Sequence, residues 1–384
     1  MRRLRTASSR HLAMLAATVA ALALGAVGIA QAVGGAGEPA PKPLDQALYD
    51  AAHAPAVAGI TARIEFTNNL LPSGALPQDT ASPVLTGASG RLWLTNDGRA
   101  RLELQSDAGD AQIVVGANTF SVYDASSNTV YTGTLPQDHA KSTDDQPATL
   151  AGIQKGLAKL GGMWDLSQPR PGNNAGRPSY TVRIAPKDDG GLLGAAEVAW
   201  DAARGVPLRA AVYAQGQSSP VLELKATSIS YGSISASDVQ ATAPAGAKKV
   251  ELNPALGTDA NGNPTTVEGL ADVQKQVDFT ISAPDTLAGL PRHDVSLIRS
   301  DNSNGALVTY GQGLGAIVVF QQKATPDSGK SGLRLPSVNI DGATGSELPT
   351  ALGTIVTFTR NGVSYTVAGS VPPLAAENAA RGLK

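Results

Sequence analysis

The chain has 384 residues, enough for two domains, and 42% of them are hydrophobic, so a packed core is within reach. A formal charge of −2 with four histidines argues against a nucleic-acid partner. The absence of cysteine excludes disulfides, a thiolate nucleophile, cysteine-ligated metal and a lipidated N-terminal cysteine.

The N-terminus reads as an export segment. Arg2, Arg3, Arg5 and Arg10 precede an uncharged apolar run from 12 to 33, with Ala30-Gln31-Ala32 as a candidate cleavage site. The run is long enough to span a bilayer, so residues 1–33 are either a signal peptide or a membrane anchor. Both alternatives place the body outside the cytoplasm, secreted or tethered to the plasma membrane by residues 12–33. Without the four arginines the formal charge falls from −2 to −6. Residues 34–45 read as a linker.

With 42 Gly and 25 Pro, the remainder favours short strands and frequent turns. DQALYDAAHA reads as a short helix. In ITARIEF, Ile60, Ala62, Ile64 and Phe66 alternate with polar residues. RLWLT and RARLELQ follow, joined by Asn96-Asp97-Gly98, a strong hairpin signal. Leu92 and Leu94 then share a face with Leu102 and Leu104. AQIVVG, TFSVYD and NTVYTG continue the meander. TLAGIQKGLAKL (149–160) breaks it, because Leu150, Ile153, Leu157 and Leu160 recur at helical spacing. SYTVRIA, GAAEVAWD, VPLRAAVYA and VLELKATSISY restore the strands. Residues 46–250 thus form one antiparallel sheet with helices on a face. Residues 251–266 read as a second linker. Residues 267–384 form a smaller α+β domain: a helix over 267–277, strands near 278–282, 294–299, 305–310, 316–322, 353–359 and 363–368, and a terminal helix.

Three motifs tempt towards other chemistry. ATPDSGKS (324–331) fits a loose phosphate-loop pattern after a strand, but Pro336 and an extended VNIDG follow where a helix is needed. GQGLGA (311–316) fits a relaxed dinucleotide fingerprint, yet the strand AIVVF comes next, so the glycines read as a hairpin turn. DANGN (259–263) starts like a calcium loop, but Pro264 and Leu270 stand where Gly and Glu are required. His53, His139 and His293 have no neighbours at metal-ligand spacing, and His11 lies in the export segment. No Gly-x-Ser-x-Gly elbow occurs. Asp144-Asp145 and Asp188-Asp189 read as solvated turns. No catalytic residues, metal or cofactor are expected. The rivals are an adhesive envelope protein without ligand and an envelope hydrolase.

SGRLWLTNDGRARLELQS (89–106) and IVVGANTFSVYDASSNTVYTGTLP (113–136) resemble the LolA-like lipoprotein-carrier superfamily. VTYGQGLGAIVVFQQ (308–322) and IVTFTRNGVSYTVAGSVPPLAAENAARGL (355–383) resemble the small C-terminal domain of MucB/RseB-type envelope-stress regulators. Together the resemblance spans residues 46 to 384. It implies an α+β fold: an incomplete antiparallel β-barrel (a half-barrel) enclosing a helix, then a smaller α+β domain. It also implies a hydrophobic cavity for a lipid or lipoprotein acyl chain, in a carrier or a sensor. The alternative is a regulator that binds a membrane anti-sigma factor; a transporter is the partner of a carrier. Alternation nominates Ile64, Phe66, Leu92, Leu94, Leu102, Leu104, Ile113, Val115, Phe120 and Val122 as cavity lining, with Ile153 and Leu157 closing the mouth and Trp93, Trp164 and Trp200 as rim aromatics. Each position also suits ordinary core packing, because core and cavity look alike in sequence.

Overall fold

Period-two alternation builds most of this molecule. The computed structural model describes residues 37–72, 82–135, 149–187, 191–242, 244–252, 267–298, 304–325 and 335–384. The export segment with His11, the DANGN turn, His139, both aspartate pairs and all but the first two residues of ATPDSGKS lie outside them. No helix among the described residues is long and apolar enough to cross a membrane.

The first sheet has thirteen strands: β1 (Gly59–Asn68), β2 (Ala88–Thr95), β3 (Ala100–Ser106), β4 (Gly109–Val115), β5 (Thr119–Asp124), β6 (Thr129–Thr134), β7 (Trp164–Leu166), β8 (Arg170–Asn174), β9 (Arg177–Pro186), β10 (Leu193–Asp201), β11 (Pro207–Ala214), β12 (Leu222–Tyr231) and β13 (Lys248–Leu252). It runs β13-β6-β5-β4-β3-β2-β1-β12-β11-β10-β9-β7, with β8 also on β9, and curls into a half-barrel. The expected hairpin joins β2 to β3, with Leu92 opposite Leu102 and Gly98 at φ 82°, a left-handed conformation that glycine adopts without strain. β1 and β12, far apart in sequence, pair antiparallel and join the meander β1–β6 to the meander β9–β12. β13 pairs parallel to β6.

Three helices accompany this sheet: Leu44–Ala52, the single turn Pro83–Thr86, and Leu150–Leu160. The last begins where expected, capped by the Thr149 hydroxyl, which accepts from the Gly152 N–H at 3.1 Å. It lies over the β9–β10 end of the sheet. None of its residues is fully buried, and Gln154 Nε2 donates to Asp45 Oδ2 (2.7 Å) on the N-terminal helix.

The second sheet has eight strands: β14 (Thr286–Leu287), β15 (Leu290–Ile298), β16 (Gly305–Tyr310), β17 (Ile317–Lys323), β18 (Ser337–Ile340), β19 (Ala343–Thr350), β20 (Gly353–Arg360) and β21 (Val363–Gly369), in the order β14-β15-β16-β17-β21-β20-β19-β18. GQGLGA connects the hairpin β16–β17 through a 3-10 turn, as expected of a turn rather than a nucleotide loop. β18, a strand, follows the ATPDSGKS stretch where a phosphate loop needs a helix. The terminal helix Pro373–Gly382 buries Ala376, Ala379 and Ala380 in this sheet's core.

Two expectations fail locally. The helix expected over 267–277 is confined to Leu270–Gln274. Gln274 turns its side chain onto the following backbone, donating to Phe279 O (2.7 Å) and accepting from Ile281 N (2.9 Å). The strand expected at 278–282 does not form either. The fully buried Gln321 amide bonds both Ser282 N and Ser282 O at 2.8 Å, so one side chain supplies what a neighbouring strand would.

The two sheets touch. Leu192 N donates to Ser370 O (3.1 Å) and Ser370 Oγ (3.0 Å), and Ala351 N donates to Leu70 O (2.9 Å).

Candidate functional site: the apolar face of the first sheet

Register decides which side chains meet, because residues paired across strands share a face. One row runs Tyr231, Ile60, Leu94, Ala100, Val115, Phe120. The next runs Ile229, Ala62, Leu92, Leu102, Ile113, Val122, Tyr131. A third runs Ala226, Ile64, Gly90, Leu104, Ala111, and Phe66 pairs with Leu224 beyond it. All ten strand positions nominated from alternation therefore lie on one face.

That face is unevenly covered. Ile64, Phe66, Leu104, Ile113, Val115 and Val122 are buried. Leu92, Leu94, Leu102 and Phe120 are only half-buried. Val84, from the single helical turn, packs on the buried end with Ile64, Phe66, Leu104 and Ala111. Ile113, Val115 and Val122 form a neighbouring cluster, and Leu102 touches both. Leu92 and Leu94 on β2 with Leu102 on β3 form a half-buried apolar patch, and Phe120 on β5 a second, across the buried Val115; branched and aromatic surface of this kind suits an alkyl chain or an apolar side chain.

The helix residues nominated to close this face lie at its far end, since register carries the face from Phe66 through Leu224, Ala210 and Val198 to Val182. Leu157 packs with Leu44, Ala47, Tyr180, Val182 and Trp200 over β9 and β10, and Ile153 is half-buried and joins neither cluster of the apolar face. Contact with the N-terminal helix holds the segment there. Of the three tryptophans, Trp200 is core, its ring 6.1 Å from that of Tyr180. Trp93 lies on the opposite face, paired with Thr61 and Arg101, with the Arg91 and Arg101 guanidiniums 5.4 and 5.3 Å from its ring. Its position between Leu92 and Leu94 already dictates that. Trp164 is half-buried on β7.

β12 supplies what alternation missed. Leu222, Leu224 and Ala226 share the face with Ile229 and Tyr231, although 226 and 229 differ in parity. A bulge at Thr227 on β12, opposite the Arg63–Ile64 step of β1, shifts the register by one, pairing Arg63 with Ser228 and Ile64 with Ala226.

The outer face of β9–β12 carries a polar network. Arg209 bonds Glu197 Oε2 (2.9 Å), Glu223 Oε1 (2.6 Å) and Tyr213 Oη (2.8 Å), while Arg170 and Arg183 reach Glu197 Oε1 at 3.0 and 3.4 Å. Burial pushes the Glu197 carboxyl up, but the bonds from Arg209, Tyr213 and Arg183 outweigh it and hold it below the usual carboxylate range. Every carboxylate here is engaged by cations, which is the arrangement of a structural network. Among the described residues no three His, Cys, Asp or Glu side chains gather to hold a metal ion. His53 Nδ1 bonds the Tyr49 carbonyl (2.8 Å) and His293 Nδ1 the Gln312 amide (3.2 Å), so neither contact pairs a base with a nucleophile.

No family model matches the chain, and no curated protein matches it. It is similar to the solved structures of MucB in complex with MucA(peri) (17% identity, 88% of this chain, 96% of that chain, TM-score 0.41). It is also similar to the MucA/MucB complex of Pseudomonas aeruginosa (17%, 87%, 95%, TM-score 0.42) and to MucB alone (16%, 87%, 95%, TM-score 0.35).

Proposed function

We propose that this chain is a non-enzymatic regulator of the bacterial cell envelope. It acts outside the cytoplasm, by binding the exported segment of a membrane anti-sigma factor. The observation that supports this most is the pairing of two antiparallel sheets in one body, the second carrying the hairpin and closing helix on which the resemblance to MucB/RseB-type regulators rests. The test is genetic and biochemical. Deleting the gene is expected to induce an extracytoplasmic sigma-factor regulon. The purified chain is expected to shield the cognate anti-sigma segment from proteolysis. An unchanged transcriptome together with undiminished cleavage sinks the reading.

A second reading is favoured by one specific observation, the half-buried patches of Leu92, Leu94 and Leu102 and of Phe120 on the apolar face. An acyl chain laid along that face needs only dry surface, and each buried CH₂ contributes about 0.8 kcal/mol. A lipid bound there would make the regulator a sensor. Mass spectrometry of solvent extracts of the purified protein is expected to find a stoichiometric lipid. A lipid-free protein that also takes up no fluorescent fatty acid leaves protein contacts alone as its mode of action.

A further inference from the structure

The helix Leu150–Leu160 is amphipathic but underused. Its apolar stripe is half-buried at Leu150, Ile153 and Leu157, then emerges at Leu160, 48% exposed, and at Met163 just beyond, 63% exposed. The half-buried Trp164 follows. Lys155 and Lys159 are exposed on the same helix, and Lys187 reaches its C-terminal end by bonding the Gly161 carbonyl. No acidic residue occurs from 149 to 164; Asp165 is the first. A helix with an emerging apolar stripe on one side and lysines on the other suits the boundary between acyl chains and anionic headgroups.

The N-terminal chain enters at the same corner. Tyr180 Oη donates to Ala40 O (2.5 Å), and Lys42 pairs with Asp50 at 2.5 Å. Tyr180 and Leu44 share a cluster with Leu157, and Gln154 bonds Asp45. Only residues 34–39 separate this docked chain from the apolar run ending at Val33. Fully extended, those residues reach about 20 Å. An anchor at 12–33 would therefore hold this corner of the body beside the bilayer.

We propose that Leu160 and Met163, with Lys155 and Lys159 on the polar side of the same helix and Lys187 at its C-terminal end, form a membrane-contact surface that lies on the anionic outer leaflet of the bilayer carrying the N-terminal anchor.

The chain has no cysteine, so a single introduced one is a unique label site. Met163→Cys in the full-length chain, carrying an environment-sensitive NBD dye, is reconstituted in phosphatidylethanolamine/phosphatidylglycerol vesicles. Leu314→Cys, 38% exposed on the β16–β17 turn, is the reference. The dye at 163 is expected to shift to the blue, brighten severalfold and be quenched by headgroup-proximal spin-labelled lipid, while the dye at 314 stays in water. Lys155→Glu with Lys159→Glu is expected to reverse most of the shift, as are vesicles of phosphatidylcholine alone. A dye at 163 as water-exposed as the one at 314 overturns the proposal. So does a shielded dye that lipid-borne quenchers cannot reach, which would assign the surface to a second protein chain. The vesicle result is independent of any anti-sigma partner.

Discussion

Glu347 stands at a position where the second sheet otherwise places valine. Register continues a row through Val295, Val308, Val319, Val367 and Val356 to Glu347, which is 7% exposed and has an Oε2 without a hydrogen-bond partner among the described residues. Burial, and then Glu377 on the terminal helix, raise its pKa, while Glu377 itself is paired with Arg381. An acid whose pKa is raised in the folded state holds its proton more tightly there. Stability therefore falls as pH rises from the unfolded pKa, near 4.5, through the raised folded value, and is level above both. Glu347→Gln keeps the shape beside Glu377 without the second charge. Thermal melts are expected to show it more stable by about 1 °C at pH 7, the shift that ~1 kcal/mol makes in a protein of this size, and indistinguishable from wild type at pH 4. An unchanged melt at pH 7 would mean that the two carboxyls do not meet. Arg209 is the opposite case. Arg209→Ala leaves Glu197 to Arg170 and Arg183 and Glu223 to Lys225, and is expected to cost about 2 kcal/mol in urea unfolding at pH 7. The loss is smaller in acid, because the depressed pKa of Glu197 stabilises the fold above the unfolded carboxylate value and ceases to do so as pH falls through the folded one.

Among the elements, β2 is the most constrained. A Cβ on Gly90 would sit 2.0 Å from the Glu103 carbonyl oxygen on β3, so the two backbones meet closest where the apolar rows cross from Ile64 to Leu104. Gly90→Ala must push β2 from β3 and is expected to destabilise by about 2–3 kcal/mol, read by denaturant unfolding. A cost below about 0.5 kcal/mol would show that the hairpin shifts freely there. The hairpin was legible from Asn96-Asp97-Gly98 and the flanking alternation, since a two-period pattern and a turn signal are both local. The bulge on β12 was not. It changes parity only through pairing with β1, more than 150 residues away, and nothing in ATSISY announces it.

At the scale of the whole molecule, the two sheets are joined where Gly191 approaches Ser370. A Cβ on Gly191 would fall 1.9 Å from the Ser370 carbonyl oxygen, and its φ of +68° already favours glycine. Gly191→Val is expected to break the Leu192–Ser370 bonds and resolve calorimetric unfolding into two transitions, with little change in either sheet's circular dichroism. A single undisturbed transition would place the coupling elsewhere, such as at Leu70–Ala351.

By itself the sequence determined the β-rich class, the shared face of Ile64, Phe66, Leu92, Leu94, Leu102, Leu104, Ile113, Val115, Phe120 and Val122, and the helix from Leu150 to Leu160. Each follows from a backbone period that the chain repeats locally. Only the tertiary structure decided which of those ten are covered and which stay half-open. It alone set the helix against Leu44–Ala52 over β9 and β10, and it alone placed Glu347 beside Glu377. These outcomes depend on which distant segment arrives to take up an apolar stripe or oppose a charge. A one-dimensional pattern states that a face must be covered, whereas the covering partner is selected by packing across the whole fold.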